Sequence, residues 1–299
     1  MRPSHSLLAL ACALGLAACQ PQAETPVPTA APDPAPAPAP MPEPAPAMVD
    51  ASQEMRQRLE TVAAGEHRKD TDRARDRYRN PVETLLFFGL KPDSTVVEIT
   101  PGGGWYSDIL APFLRPHGTY IGAIWDDTLP DQPAYYARLN TTLSEKIAAA
   151  PEVYGEPTLL RFNPQAPAFG EPASADMVLT FRNAHNWIGA GTAEAYFSAF
   201  FDVLKPGGVL GFTDHRAKGD TPTDGKSGYV TEQQIIDLAT AAGFQLAERS
   251  EINANPNDSA DYPRGVWTLP PSLALGDEDR EKYLAIGESD RMTLKFVKP

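Results

Sequence analysis

Thr95-Val96-Val97-Glu98-Ile99-Thr100-Pro101-Gly102-Gly103-Gly104-Trp105-Tyr106 is the stretch on which the fold turns. Its first five residues are rich in β-branched side chains and predict a strand. The proline and three glycines predict a tight turn, and a helical run over 105–110 follows. A strand, a glycine turn and a helix start in succession bring backbone N–H groups close to a ligand. Downstream, the residues at 119–124, 158–162 and 176–180 read as strands. Between 193 and 204, Tyr196, Phe197, Phe200, Phe201 and Leu204 recur at helical spacing. Lys205-Pro206-Gly207-Gly208 suits a type II turn and feeds a strand over 209–213. Thr231 and Gln234 form a capping box that opens a helix, which Gly243 closes. Strands near 244–252 and 292–297 finish the chain. Repeated alternation of this kind predicts an α/β fold, with a mostly parallel sheet covered by helices on both faces.

Upstream, residues 51–63 read as helix, and Asn80-Pro81 starts another that Gly89 ends. Between them, Arg73, Arg75, Arg77 and Arg79 alternate with Asp70, Asp72 and Asp76. Charge mixed so densely reads as a solvated helix face. Arg77 and Arg79 are the candidates within it for holding an anionic ligand group.

The chain has 299 residues and a formal net charge of −13. That acidic balance argues against general nucleic-acid or anionic-membrane binding. Of its 31 prolines, 12 fall within residues 1–48. Both cysteines, Cys12 and Cys19, lie in the first twenty residues, so the body offers no thiolate zinc site, disulfide or cysteine nucleophile. Arg2, an apolar run over 7–18 and small residues before Cys19 read as an export signal. Leu16-Ala17-Ala18-Cys19 resembles a bacterial lipobox. That likeness implies cleavage after residue 18, diacylglycerol on the Cys19 sulfur and residence on the bacterial cell envelope. The Pro-Ala segment over 19–48 has almost nothing apolar to bury and reads as a disordered tether. A helical segment over 49–80 and a domain over 81–299 follow.

The turn at 100–104, the Leu204-Lys205-Pro206-Gly207-Gly208 turn and the strand opening with Asp176 together resemble the class I S-adenosylmethionine-dependent methyltransferases. The likeness spans about residues 80–299 and implies a Rossmann-like sheet whose final strand is antiparallel. More narrowly, residues 97–106, Phe181-Arg182-Asn183-Ala184-His185-Asn186-Trp187 and Thr213-Asp214-His215-Arg216 look like a group of predicted methyltransferases in exported bacterial proteins. The resemblance implies S-adenosylmethionine as cofactor, a small-molecule methyl acceptor and no metal. It puts Glu98, Gly102, Gly103 and Gly104 on the methionine and ribose side of the cofactor, with Arg182 nearby. Asn163 falls where an adenine-contacting residue often lies. Two departures stand out. Thr100 occupies the family's first glycine position, and no clean acid ends the second strand, where Asp126 is the nearest choice.

Open α/β sheets bind ligands at the carboxyl ends of their strands. Methyl transfer needs alignment and, for a hydroxyl or amine acceptor, loss of a proton. His185 after strand 4 is therefore the first candidate base and His215 after strand 5 the second, with Asp214 beside them. No His-x-His or His-Glu-x-x-His spacing supports a metal site, and no Gly-x-Ser-x-Gly elbow supports a serine hydrolase. The glycine-spaced segment 218–228 reads as a lid, and the Asn-rich segment 250–269 as a functional loop. A catalytically degenerate envelope protein that binds a ligand in the old cofactor cleft is the competing reading.

Overall fold

The strand opened by Thr95 sits in the middle of a seven-stranded sheet, and its burial explains its composition. In the computed structural model, which describes residues 46–299, β1 (Thr95–Ile99) is buried at four of its five positions. Its neighbours are β2 (Thr119–Trp125) and β4 (Ala175–Phe181), and the order continues outward to β3 (Thr158–Phe162) and to β5 (Leu204–His215). These five strands run parallel. The last strand, β7 (Arg291–Val297), inserts antiparallel between β5 and β6 (Gln245–Ser250), giving the order β3-β2-β1-β4-β5-β7-β6. This is the expected Rossmann-like arrangement. The export signal, Cys19 and nearly all of the tether lie outside the described residues.

Successive side chains on a strand point to opposite faces, and here the alternation feeds two cores. Val97 and Val178 join Phe197, Phe200 and Phe212 on one face. Val96, Met177 and Leu179 join Leu59, Leu85, Phe88 and Phe113 on the other. The second layer comes from α1 (Pro46–Ala63), α4 (Pro81–Phe88) and α5 (Ser107–Leu114). The segment expected to precede the domain is thus part of its core. Fully burying one such Leu or Phe contributes about 1.5–3 kcal/mol. The first layer comes from α9 (Ala193–Val203) and α10 (Glu232–Ala241), the latter opened by the expected capping box with both reciprocal bonds made.

Helix α5 starts two residues later than expected and runs through Pro112. Proline has no N–H to give the carbonyl four residues back. His67 Nε2 donates to that carbonyl, Asp108 O, at 2.7 Å instead.

The charged run at 70–79 is not a solvated face. It forms two single-turn helices, α2 (Asp70–Arg73) and α3 (Asp76–Arg79), the second of which carries Arg79 inward. Arg68, just ahead of them, is 1% exposed and gives both terminal nitrogens to Asp76 at 2.7 and 2.8 Å. Arg79 is 5% exposed, whereas Arg77 stays on the surface against Tyr78. Two helices sit beyond the strand β2 and are absent from the sequence reading: α6 (Ala134–Ala149) and α7 (Pro151–Tyr154). A third, α8 (Ala184–Ala190), forms directly after β4. The remaining helix, α11 (Arg280–Ile286), precedes β7.

Candidate functional site

At the carboxyl end of β1 the backbone turns sharply. Thr100 has φ +46°, in the left-handed region, and Gly102 follows at +60°. A β-branched residue held there costs of order 1–3 kcal/mol. The Thr100 hydroxyl is also buried without a hydrogen-bond partner. A Cβ at Gly102 or Gly103 would meet nothing within 4 Å, so this stretch of backbone lies open to its surroundings. Gly104 differs. A Cβ there would come 2.8 Å from Leu143 on α6, so this glycine serves helix packing.

Glu98 lies beneath the turn, buried, and accepts hydrogen bonds from Ser107 Oγ at 2.9 Å and Tyr120 OH at 2.7 Å. Burial outweighs those two bonds and raises its carboxyl to about 7.

The turn forms one wall of a cavity of about 420 Å³ at the carboxyl ends of β1, β2, β4 and β5, a size suited to a small molecule. Glu98, Thr100, Gly102 and Gly103 line it at the centre. On the β2 side it is bounded by Leu139 and by Trp125, whose ring stacks on Tyr136 at 4.2 Å between centroids. On the opposite side stand Arg75, Arg79 and Arg182, with Tyr106 and Phe181 stacked at 3.6 Å. His185, His215 and Trp267 also line it.

The two histidines approach each other, with ring centroids 5.8 Å apart. His185 sits in the first turn of α8, its Nδ1 3.5 Å from Asp214 Oδ1, too far for a good hydrogen bond. Asp214 is fully buried, and both its oxygens serve backbone. Oδ2 accepts from Ala184 N at 2.7 Å, and Oδ1 from His215 N at 2.8 Å. It therefore positions the start of α8, and does not line the cavity. His215 Nδ1 bonds Ser289 Oγ. Burial, with the charges of Arg291 and Arg182 close by, holds the His215 imidazole well below its usual range. It stays neutral and is a weak base. His185 lines the cavity, and among the described residues its Nε2 carries no hydrogen bond.

Two of the expected contacts are not brought to the cavity. Asp126 is turned onto its own loop, accepting from Thr128 N and Oγ1 at 3.1 and 2.6 Å. Asn163 is exposed and caps its own turn through Gln165 N at 2.9 Å. Short polar side chains after a strand satisfy nearby backbone first. Trp125 stands at the cavity where an acid was sought.

The segment 250–269 is held by its own polar residues. Asn253 Nδ2 donates to Thr84 Oγ1 and Thr293 Oγ1, and Asp258 accepts from Tyr229 OH and the N–H groups of Ala260 and Asp290. Asn253 and Asn255 are structural, and Trp267 alone of this segment reaches the central cavity. With segment 218–227 it borders a second, outer cavity of about 910 Å³, which Trp267 also lines. Arg75 and Trp267 escaped notice as site residues, the first because its neighbours in sequence alternate in charge. Among the described residues no three His, Cys, Asp or Glu side chains converge as a metal site would require.

No family model matches the chain, and no curated protein does. Solved structures do. A SAM-dependent methyltransferase from Aquifex aeolicus superposes with a TM-score of 0.51 at 14% identity, covering 82% of this chain and 98% of its own. The [4+2]-cyclase SpnF superposes with a TM-score of 0.53 at 14% identity, covering 83% of this chain and 96% of its own. The chain has the fold of the class I S-adenosylmethionine-dependent methyltransferases.

Proposed function

We propose that the protein is an S-adenosylmethionine-dependent methyltransferase acting on a small molecule. The observation that carries this reading is the turn at 100–103, whose open backbone meets a ligand-sized cavity at the carboxyl end of β1. The residues present suit the cofactor. Glu98 offers a carboxylate, Gly102 and Gly103 a wall without side chains, Thr100 an unpartnered hydroxyl, and Trp125 with Leu139 an apolar face for a flat base. Bound S-adenosylmethionine supplies a methyl group on a sulfonium, already a good leaving group.

The chain's own work is then to align the acceptor and take its proton. His185 is the base in this scheme, lining the cavity with its Nδ1 3.5 Å from the Asp214 carboxylate. Trp267 and the stacked Tyr106–Phe181 pair limit water around the acceptor. Calorimetric titration of the full-length protein with S-adenosylmethionine and S-adenosylhomocysteine tests the reading. Saturable heat, reduced by Gly103→Val, is the expected result.

One observation favours a second reading. Thr100 places a branched side chain, in a strained conformation, where close approach matters, and neither Asp126 nor Asn163 reaches the cavity. A protein that binds an envelope ligand without transferring a methyl group accounts for both. It also accommodates the lipobox, because S-adenosylmethionine is made inside cells whereas the lipobox directs the chain outward. No heat with either nucleoside at millimolar concentration decides for this second reading. Under both we propose a signal over 1–18, lipid on Cys19 and a tether to the described domain.

A further inference from the structure

Arg75, Arg79 and Arg291 converge on a single carboxylate. Glu288 Oε1 accepts from Arg75 Nε at 2.5 Å, and Oε2 accepts from Arg79 Nε at 3.1 Å and from Arg291 Nη2. One negative charge is shared among three guanidinium groups, and their donors outnumber its lone pairs. Arg75 Nη2 and Arg79 Nη2 are accordingly buried without a partner. Arg79 is 5% exposed, so water does not satisfy that nitrogen.

A fourth guanidinium joins them. Arg182 follows β4 with φ +62° and is half-buried, and its side chain makes no hydrogen bond or ion pair among the described residues. It lines the central cavity with Arg75 and Arg79. It also lines a narrow recess with Arg79, Arg291 and Thr213, whose buried hydroxyl is likewise unpartnered. Asp72 and Glu98 also line the cavity, and the Asp214 carboxylate acts on Arg182. The four guanidinium groups thus crowd together around unspent donors. Charge buried this way is costly unless a ligand completes it.

We propose that Arg75, Arg79 and Arg182 form an oxyanion subsite that takes a carboxylate or phosphate group of the acceptor. Planar guanidinium groups with free terminal nitrogens suit either oxyanion, through charge-assisted paired bonds. The cofactor's own carboxylate is the other source of such a group: Arg79 lies 4.7 Å over the ring of Trp105, just past the glycine turn, and competition with S-adenosylhomocysteine distinguishes the two. Trp125 and the glycine turn lie at the ends of β2 and β1. The arginine wall is built from the ends of β4 and the start of β7, with α2 and α3. It stands beside His185, the proposed base. That the anion belongs to an acceptor rests on the methyltransferase reading; that the subsite binds an anion does not.

The test uses the full-length protein in detergent, inorganic phosphate as probe, chloride at matched ionic strength as control, and S-adenosylhomocysteine. Phosphate should raise the melting temperature beyond chloride, and should do so equally when the protein is saturated with S-adenosylhomocysteine. Arg182→Gln should weaken phosphate binding about ten- to a hundredfold, the range for a lost bond to a charged group, and leave S-adenosylhomocysteine binding unchanged. Arg182→Lys keeps the charge and should recover part of the phosphate affinity. Arg75→Gln gives the same reading should Arg182→Gln not fold. No effect of phosphate beyond chloride overturns the subsite. Competition between phosphate and S-adenosylhomocysteine, or equal loss of both in Arg182→Gln, overturns its assignment to the acceptor. Phosphate binding through Arg182 with no S-adenosylhomocysteine binding upholds the subsite and refutes the methyltransferase reading.

Discussion

Replacing Glu98 with glutamine should stabilise the protein above neutral pH and do nothing in mild acid. Glu98 is 3% exposed, and burial raises its carboxyl from 4.5 to about 7. A carboxyl group whose pKa is higher folded than unfolded binds more protons in the folded state across that window. Stability is therefore full below the unfolded value and falls as pH rises through the folded one. At about 1.4 kcal/mol per unit, the buried carboxylate costs about 3 kcal/mol near pH 8. Glutamine keeps an acceptor for Tyr120 OH and Ser107 Oγ, now 2.7 and 2.9 Å away, but carries no charge to desolvate. Urea unfolding of both proteins at about pH 4 and pH 8 measures the difference. In melting temperature it amounts to about 2–4 °C per kcal/mol for a domain of this size. A stability difference that is the same at both pH values, or a variant less stable near pH 8, refutes the argument. A cation bound against Glu98 must also displace its proton. S-adenosylmethionine binding near neutral pH should then show a heat that depends on the buffer's ionisation enthalpy, and the glutamine variant should not.

Thr100→Gly removes a strain of order 1–3 kcal/mol at φ +46° and adds about 0.5–1 kcal/mol of chain entropy. A net gain of about 1 kcal/mol in urea unfolding is expected, with tighter S-adenosylhomocysteine binding; a destabilised variant would show that Thr100 is not strained. His185→Ala should lower turnover about 10²–10⁴-fold with cofactor affinity retained. His215→Ala should lower it far less, because that ring is held neutral and bonded to Ser289, and the reverse ranking removes His185 as the base. Cys19→Ala should move the protein from the membrane fraction to the soluble one, and a variant that stays membrane-bound refutes the lipobox.

What was legible in the sequence was local or strongly periodic. The strand at Thr95–Ile99 carries its own β-branched signature, and Thr231 with Gln234 states a helix start in four residues. Helix α6 was illegible because only Asn140 and Leu143 along its length are buried, too few to set a period. Helix α8 hid behind the polar string Arg182-Asn183-Ala184-His185, whose start depends on Asp214, thirty residues away. The arginine wall was legible only in part: Arg79 and Arg182 were candidates, but their meeting with Arg75 and Arg291 was not foreseen. Arg75 and Arg79 lie among aspartates in sequence, and local pairing was the natural reading. Their partner Glu288 lies 213 and 209 residues away, a distance that no spacing rule spans. Asp126 failed for the opposite reason. Its side chain found backbone two residues on, and a local bond formed before any long-range contact was needed.

The sheet order explains why the site stands where it does. Connections run from β1 outward through β2 to β3, and from β4 outward through β5, so helices diverge between β1 and β4 and leave a crevice. Both strands end there in a non-glycine residue of positive φ, Thr100 at +46° and Arg182 at +62°. The two ends are neighbours in register, Ile99 opposite Thr180. Asn183 Nδ2 bridges them, donating to Ile99 O and Thr180 Oγ1 at 3.2 Å each. Two such residues together cost of order 2–6 kcal/mol, a large share of a domain's net stability. That cost falls at the one crevice the topology opens, and beside it lie the unpartnered Thr100 hydroxyl and the Arg182 guanidinium. Strain and unsatisfied polar groups in the same place are what a binding site preserves and a mere turn would relax. The backbone therefore points to a ligand between β1 and β4 independently of the glycines.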